Sequence, residues 1–279
     1  MEASHTLDPF FKRNAPTATA TVPRIEADMI FTTLLLNDVP PLIGTGNFGR
    51  AAVNIAANRL LAAGATPRYL SGTLTVDTDT PVDVINAIAD AMMSGAVQAE
   101  AEWKNMECRF VSSGPRYGVA ASIFGVGQLP PDFADGQQCV GSGDSIIVSG
   151  PVGAFGAAVA AARLGATTLI PADGEPLNDG ISSLFNAVGY PHAMYFPEEG
   201  FNAAVASMRN GFPVEIDRGA VPVDEAVRAA CSLTGSDPLD MRCAASMIVV
   251  VDSADESAAL AALRRSAYCG RAAVVGRVI

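Results

Sequence analysis

Two rhythms of apolar positions alternate along the chain. Residues 28–36 carry Ile, Phe, Thr and Leu in the dense arrangement of a strand. Prolines and glycines then break the pattern through Pro40-Pro41-Leu42-Ile43-Gly44-Thr45-Gly46-Asn47-Phe48-Gly49, which predicts a loop. Val53, Ala57, Leu60 and Leu61 follow at helical spacing and predict a helix over 50–63, with Gly64 placed to end it in a left-handed conformation. A strand is expected over 69–76. Thr80-Pro81 reads as an N-cap and a first-turn proline. The helix they open runs towards Glu102 and turns Val84, Ile88, Ala91, Met92 and Gly95 inward. Strands near 108–112 and 119–126, joined at Gly114-Pro115, complete the first half.

Residues 128–143 are rich in Pro, Asp, Gly and Gln and mark the expected domain boundary. Beyond it the pattern predicts strand 145–149, helix 154–164, a loop at 171–176, and helices over 177–188 and 200–210. Strand 213–217, helix 223–233, strand 245–251, helix 253–265 and strand 272–278 follow. Elements mixed in this order predict two α/β sandwiches, an α/β (α+β) fold, and not a solenoid. The expected division is an irregular N-terminal arm over 1–24, a first domain over 25–140 and a second over 141–279. Within the arm, Thr17 to Thr21 alternates Thr and Ala and reads equally as an arm or an edge strand.

Composition narrows the function classes. With 279 residues, 49% hydrophobic and 17% charged, the chain has the makings of a large core. A net charge of −11 and no Lys/Arg run argue against nucleic-acid binding, which needs clustered cations. Five scattered cysteines, Cys108, Cys139, Cys231, Cys243 and Cys269, form no C-x-x-C pair and fit reduced cytoplasmic thiols. His5 and His192 lie far apart and spell no metal site. No basic region followed by an apolar run opens the chain. The apolar stretch 146–164 is cut by Gly150, Pro151, Gly153 and Gly156, so no membrane span is expected.

Several short words then recur in one order. They are Gly49-Arg50-Ala51-Ala52, Asn58-Arg59-Leu60, Gly64-Ala65-Thr66-Pro67 and Ser149-Gly150-Pro151-Val152-Gly153. Gly219-Ala220-Val221-Pro222-Val223, Leu233-Thr234-Gly235-Ser236-Asp237-Pro238-Leu239 and Ala273-Val274-Val275-Gly276-Arg277-Val278 complete the series. From about residue 26 to 279 this order resembles HypE-like members of the aminoimidazole ribonucleotide synthetase (PurM) superfamily. The resemblance implies a two-domain PurM-like fold whose first, mixed sheet pairs into a dimer. It also implies ATP- and Mg²⁺-dependent activation of an amide oxygen, which in hydrogenase maturation turns a carbamoyl group into a nitrile.

The departures fall on the chemical residues. Glu26-Ala27-Asp28-Met29-Ile30-Phe31 retains one aspartate of the first acidic region. The family's Gly-Gly-Asp-Ile-Gly corresponds to Thr45-Gly46-Asn47-Phe48-Gly49, and its Asn-Asp-Leu to Asn58-Arg59-Leu60. Its Gly-Asp-Thr word is replaced near Trp103-Lys104-Asn105-Met106-Glu107, and its Asp-His-Gly by Ala154-Phe155-Gly156. A later Asp-Pro-Thr-Arg-Gly-Gly word corresponds to Phe196-Pro197-Glu198-Glu199-Gly200. The family's terminal cysteine tail has no counterpart after Ile279, and Cys269 is expected in a turn before the last strand. Mg²⁺ wants hard oxygen ligands in octahedral geometry, and an arginine at position 59 repels it while attracting an anion. ATP and Mg²⁺ are therefore implied by the resemblance and opposed by the residues.

The candidate ligand- or anion-binding set is Asp28, Asp38, Gly46, Asn47, Gly49, Arg50, Asn58, Arg59, Arg109, Gly150, Gly153 and Gly156. Gly44 to Arg50 opens a helix and either cradles an anion with Arg50 and Arg59 or is a plain loop. Gly150-x-x-Gly153-x-x-Gly156 either holds an anion at a helix start or is a packing turn. Glu198-Glu199 precedes a helix start, where capping is the default. Cys108, Trp103 and Met106 read as core residues. One functional reading is a divergent enzyme that binds a nucleotide-like or other small ligand. Another is a non-catalytic relative, kept as a homodimer or as a heteromer with a related subunit. A third is lyase- or isomerase-type chemistry using Arg59, Arg109 and Glu102.

Overall fold

The computed structural model describes residues 28–133, 139–172 and 174–279. The predicted arm over 1–24 and the residues Glu26 and Ala27 lie outside the described residues. Strand β1 (Met29–Leu36) leads through a short 3-10 turn (Pro41–Ile43) into helix α1 (Thr45–Ala62). Strand β2 (Thr66–Asp77), helix α2 (Val82–Gln98), β3 (Glu102–Val111) and β4 (Val119–Gln128) follow. They form a four-stranded sheet in the order β1-β4-β2-β3, antiparallel except for the β2–β3 pair, which α2 joins by a crossover. Along β1, Leu34 and Leu36 are buried while Phe31 and Leu35 are exposed. This is the alternation of a sheet covered on one face, and α1 and α2 supply the cover.

The second sheet is antiparallel throughout, in the order β6-β8-β5-β9-β7. Its strands are β5 (Ser145–Val148), β6 (Ala193–Tyr195), β7 (Val214–Ile216), β8 (Ile248–Val251) and β9 (Ala273–Val278). The helices are α3 (Ala154–Arg163), α4 (Asn178–Val188), α5 (Phe201–Arg209), α6 (Glu225–Thr234) and α7 (Glu256–Arg265). Every residue of β5 and β8 is buried. Helices on both faces explain this. Ile147, Val249 and Val251 pack with Ile181 of α4 and Leu263 of α7, while Ile146, Val148, Ile248 and Val250 join the core that holds Phe155 and Phe201. That second cluster continues without a break into the core of the first sheet.

Most predicted elements stand at their predicted places, and the exceptions have physical causes. The second half of the predicted loop at 40–49 is helix, because Gly49 lets α1 lie directly against α2. A Cβ there would sit 2.5 Å from the Ile88 carbonyl oxygen. Gly64 does end the helix with φ +81°. Helix α2 stops at Gln98, short of Glu102, because Glu100 itself takes a left-handed φ of 53° and reverses the chain. The strand predicted at 108–112 therefore begins at Glu102 and brings Trp103 and Met106 into the sheet. Thr80 is not an N-cap. Its hydroxyl donates to the Gly118 carbonyl, and α2 begins after Pro81 without a side-chain cap. Strand β6 was not predicted; three half-buried residues leave too short a pattern.

Candidate functional site

Helix α1 carries its polar residues on one side, where it meets the second half of the chain. Asn54 donates to the Gly174 carbonyl at 3.1 Å. One turn later Asn58 is wholly buried and uses its amide twice over. It donates to the Glu175 and Ala244 carbonyls, both at 2.9 Å, and accepts from the Leu177 amide at 3.1 Å. A buried amide so placed satisfies three backbone groups that the crossing segments leave without secondary-structure partners. Asn178 returns the link by donating to Ala99 at 2.7 Å.

Arg59 follows Asn58 and closes the seam. Its Nε lies 2.5 Å from Glu198 Oε2 and its Nη2 lies 2.8 Å from Oε1, a two-pronged ion pair, while Nη1 donates to the Thr33 carbonyl. Arg242 adds a contact to the same carboxylate at 3.3 Å and reaches Glu199 at 3.6 Å. Two guanidinium groups and two carboxylates thus meet between α1, the segment before α5 and the segment before β8. Glu198 does not cap α5. The helix begins after Gly200, whose φ is 108°, with no side-chain bond at its start. The sequence signal for the pair was the change to arginine at 59 together with the acidic pair at 198 and 199, read as one event.

The other candidates are spread through the fold. Asp28 is exposed before β1, and its carbonyl accepts from the Leu129 amide. Asp38 takes a left-handed φ of 56° and pairs with Arg163 of α3 at 2.8 Å and Arg116 at 3.4 Å, a second tie between the halves. Asn47 turns back to donate to the Ile43 carbonyl at 2.6 Å and accepts from Arg50 at 3.3 Å. Gly46 faces the Arg50 guanidinium, and Gly49 faces α2. Arg109 lies exposed on β3 beside Glu107 at 3.7 Å, whereas Glu102 pairs with Lys104 at 2.6 Å. At about 3.3 Å per residue, Glu102 and Arg109 stand about 23 Å apart along that strand. With Arg59 bound to Glu198, these three side chains do not converge.

The glycine-paced turn before α3 is covered by backbone. Gly153, at φ +84°, donates its amide to Cys243 Sγ at 3.2 Å, and a Cβ there would lie 2.6 Å from the Pro238 carbonyl oxygen. Gly156 donates to the Arg242 carbonyl at 2.9 Å and has room for no side chain, since a Cβ would meet the Arg242 nitrogen at 2.4 Å. Gly150 is buried with the Tyr268 carbonyl beside it. Beside this turn, burial pushes the Cys243 thiol up to about 12, opposed by the Gly153 amide, and Cys269 up to about 11, while on β3 burial raises Cys108 to about 11.

Two further features lie away from the seam. A cavity of about 530 Å³ opens where α1 and α2 begin, walled by residues such as Pro41, Ile43, Phe48, Val84 and Ile88, with Asp77 and Asp79 also lining it. Asp77 accepts from the amides of Asp79 and Gly114, and those two bonds hold its carboxyl below the usual carboxylate range. In the second half, His192 Nδ1 lies 2.6 Å from Asp144 Oδ2, with both side chains nearly buried. Among the described residues, no three His, Cys, Asp or Glu side chains gather as a metal ion requires. A guanidinium holding a carboxylate in a two-pronged grip, at the position where the resemblance implies an aspartate, is a donor set that does not fit Mg²⁺, which takes oxygen ligands. No helix among the described residues is long and apolar enough to cross a membrane.

Comparison with known proteins agrees with the architecture. No protein-family model matches the chain. The carbamoyl dehydratase HypE of Rhizobium leguminosarum bv. viciae is 30% identical over 242 residues, covering 84% of this chain and 69% of that protein. The protein of the same name from Rhodobacter capsulatus is 30% identical over 258 residues, covering 91% and 76%. Among solved structures, E. coli HypE superposes with a TM-score of 0.86 at 25% identity, covering 99% of this chain and 91% of that one. A HypE in complex with ATP gives 0.84 at 26%, covering 99% and 86%. A HypE–HypF complex gives 0.81 at 24%, covering 99% and 92%, a likeness of fold. With the two-sheet architecture matched across almost its whole length and two relatives at 30% identity, the chain belongs to the HypE family.

Proposed function

We propose that this chain serves hydrogenase maturation as a HypE relative that has given up ordinary Mg²⁺–ATP chemistry and acts as a subunit of a dimer or heteromer. The observation that carries the reading is the Arg59–Glu198 pair, reinforced by Arg242, where the family resemblance implies an aspartate that helps hold Mg²⁺ and phosphate. Phosphoryl transfer rests on positioning and charge neutralisation by metal. An ion pair that neutralises itself leaves little field for either a metal or a phosphate.

The subunit role is supported by the open face of the first sheet. Phe31, Leu35 and Phe124 are exposed there, the two phenyl rings stack at 5.8 Å, and a groove of about 390 Å³ runs past Thr73, Asn105 and Ser122. An apolar sheet face of this kind fits a second copy of the chain or a related subunit. A competing reading keeps ATP-dependent dehydration with altered ligands. It is favoured by the 30% identity to proteins named carbamoyl dehydratase.

Calorimetric titration with MgATP, alongside light scattering, separates the two. The expected result is no heat of binding from a dimeric protein. Micromolar, Mg²⁺-dependent binding overturns the loss of ATP chemistry, and a monomer at all concentrations overturns the subunit role.

A further inference from the structure

The cavity where α1 and α2 begin has walls that hold one another in place. Its volume of about 530 Å³ falls within the range of small-molecule sites, about 300–1,000 Å³. The Asp77 amide donates to the Gly118 carbonyl at 2.8 Å, the Thr80 amide to the Asp77 carbonyl at 3.0 Å, and the Thr80 hydroxyl to the Gly118 carbonyl at 3.2 Å. The Gly114 amide closes on the Asp77 carboxylate at 3.1 Å. The end of β2, the start of α2 and the turn into β4 are thus fixed together, so a ligand need not order them. Two wall positions carry no side chain. A Cβ would meet nothing within 4 Å at Gly44, and at Gly118 the Thr80 hydroxyl at 3.6 Å.

Charge is spread unevenly around this space. Ile43, Phe48, Val84 and Ile88 make it apolar, two carboxylates line it, and among the described residues no Lys, Arg or His does. Asp77 commits its oxygens to the Asp79 and Gly114 amides and the Thr78 hydroxyl. Asp79 is exposed at the rim, and its carboxylate makes no hydrogen bond or ion pair among the described residues. Arg116 lies over the Tyr117 ring at 5.4 Å, but its charge is met by Asp38 at 3.4 Å. An apolar hollow with a carboxylate at its rim is complementary to a molecule with an apolar body and a cationic head. We propose that the cavity binds a small arylalkyl amine, its body against Phe48, Val84 and Ile88 and its ammonium group against Asp79.

The test titrates the full chain at neutral pH with three probes of one shape, phenylbutylamine, phenylbutanol and phenylbutyrate, followed by saturation-transfer NMR. The amine is expected to bind about threefold or more tighter than the alcohol, a modest factor because the carboxylate is exposed. Asp79→Asn, or about 0.5 M salt, should bring the amine to the level of the alcohol. The carboxylate probe measures the opposing pull of the first turn of α1, whose Gly44 and Thr45 also line the cavity. Methyl shifts at Val84, Ile88 and Val119 should mark the bound amine. Equal affinity for amine and alcohol, a preference for the carboxylate, an amine affinity indifferent to Asp79→Asn, or no saturation transfer from any probe each overturn the proposal. Shifts confined to Leu35 on the open face of the first sheet do so too.

Discussion

The turn that opens α1, Gly44-Thr45-Gly46, and the turn that opens α3, Gly150-Pro151-Val152-Gly153, are alike in sequence and differ in what lies over them. Backbone from residues 238 to 242 covers the second, takes up the amide of Gly156 and leaves no room for a Cβ at Gly153 or Gly156. Side chains surround the first. The atoms nearest a Cβ at Gly46 belong to the Arg50 guanidinium, and the turn borders the apolar cavity. Glycine spacing alone does not tell a packing turn from a binding turn. The deciding quantity is whether backbone or space faces the first-turn amides.

The sharpest way to break this comparison is alanine at matched positions. Gly156→Ala places a methyl group 2.4 Å from the Arg242 nitrogen, and backbone there cannot yield without moving the segment that holds Arg242. We expect a loss of about 3 kcal/mol or more, the upper range for overpacking. Gly46→Ala meets only the end of a flexible side chain at 3.4 Å. It should be neutral or stabilise by up to about 1 kcal/mol, through helix propensity. Denaturant melts of both variants decide it, and equal losses would show that the two turns are packed alike.

Next in size is the ion pair, which ties the cover over α3 to α1 through Arg242. Glu198→Ala leaves the Arg59 and Arg242 guanidinium groups facing each other, with Glu199 the nearest carboxylate to Arg242 at 3.6 Å. Removing one partner of a buried pair costs about 3–5 kcal/mol. Arg59 is a third exposed, so the lower end of that range, about 3 kcal/mol, applies to Glu198→Ala. Arg59→Ala should cost about 1–2 kcal/mol, because Arg242 still partners the carboxylate. The double variant should cost less than the sum of the two. A strictly additive cycle in urea melts contradicts direct coupling.

The sequence announced the scaffold more clearly than the site. A long amphipathic run such as that of α2 repeats its pattern over several turns, so burial on one face fixes it, and α1, buried without a break from Ala51 to Asn58, is set by its sustained apolar content. The same is true of β5 and β8, where an unbroken apolar run meets helices on both faces. Ends and contacts were less legible. Glu100 ends α2 without a glycine, and nothing local in the sequence announces a left-handed glutamate. Asn58 was marked as a ligand candidate, yet its three hydrogen bonds go to backbone more than a hundred residues away. Arg59 was picked out as an arginine where the resemblance implies an aspartate, but its partner came from a segment 139 positions on, which reads locally as a helix cap. Pairings made by tertiary contact have no local period, so only a joint change at both positions hints at them.

The smallest expected effect probes the first turn's surroundings, which depend on a group that titrates. Asp77 holds the Gly114 and Asp79 amides beside the cavity at 3.1 and 3.2 Å, and these bonds put its folded-state pKa below 3.8. Its contribution is therefore fully present above that value and is lost as pH falls through the lower, folded-state one. Asp77→Asn keeps the shape but loses the charge, so it should melt below the parent at pH 7. The gap should close progressively below about pH 4, as the parent's own carboxyl takes up its proton. The matched control is Gly156→Ala, whose loss is steric and should change little over the same range. A gap for Asp77→Asn that stays constant down to pH 2.5 means that shape, and not charge, holds this turn. The contrast between a titrating surround at α1 and a backbone one at α3 would then have to be abandoned.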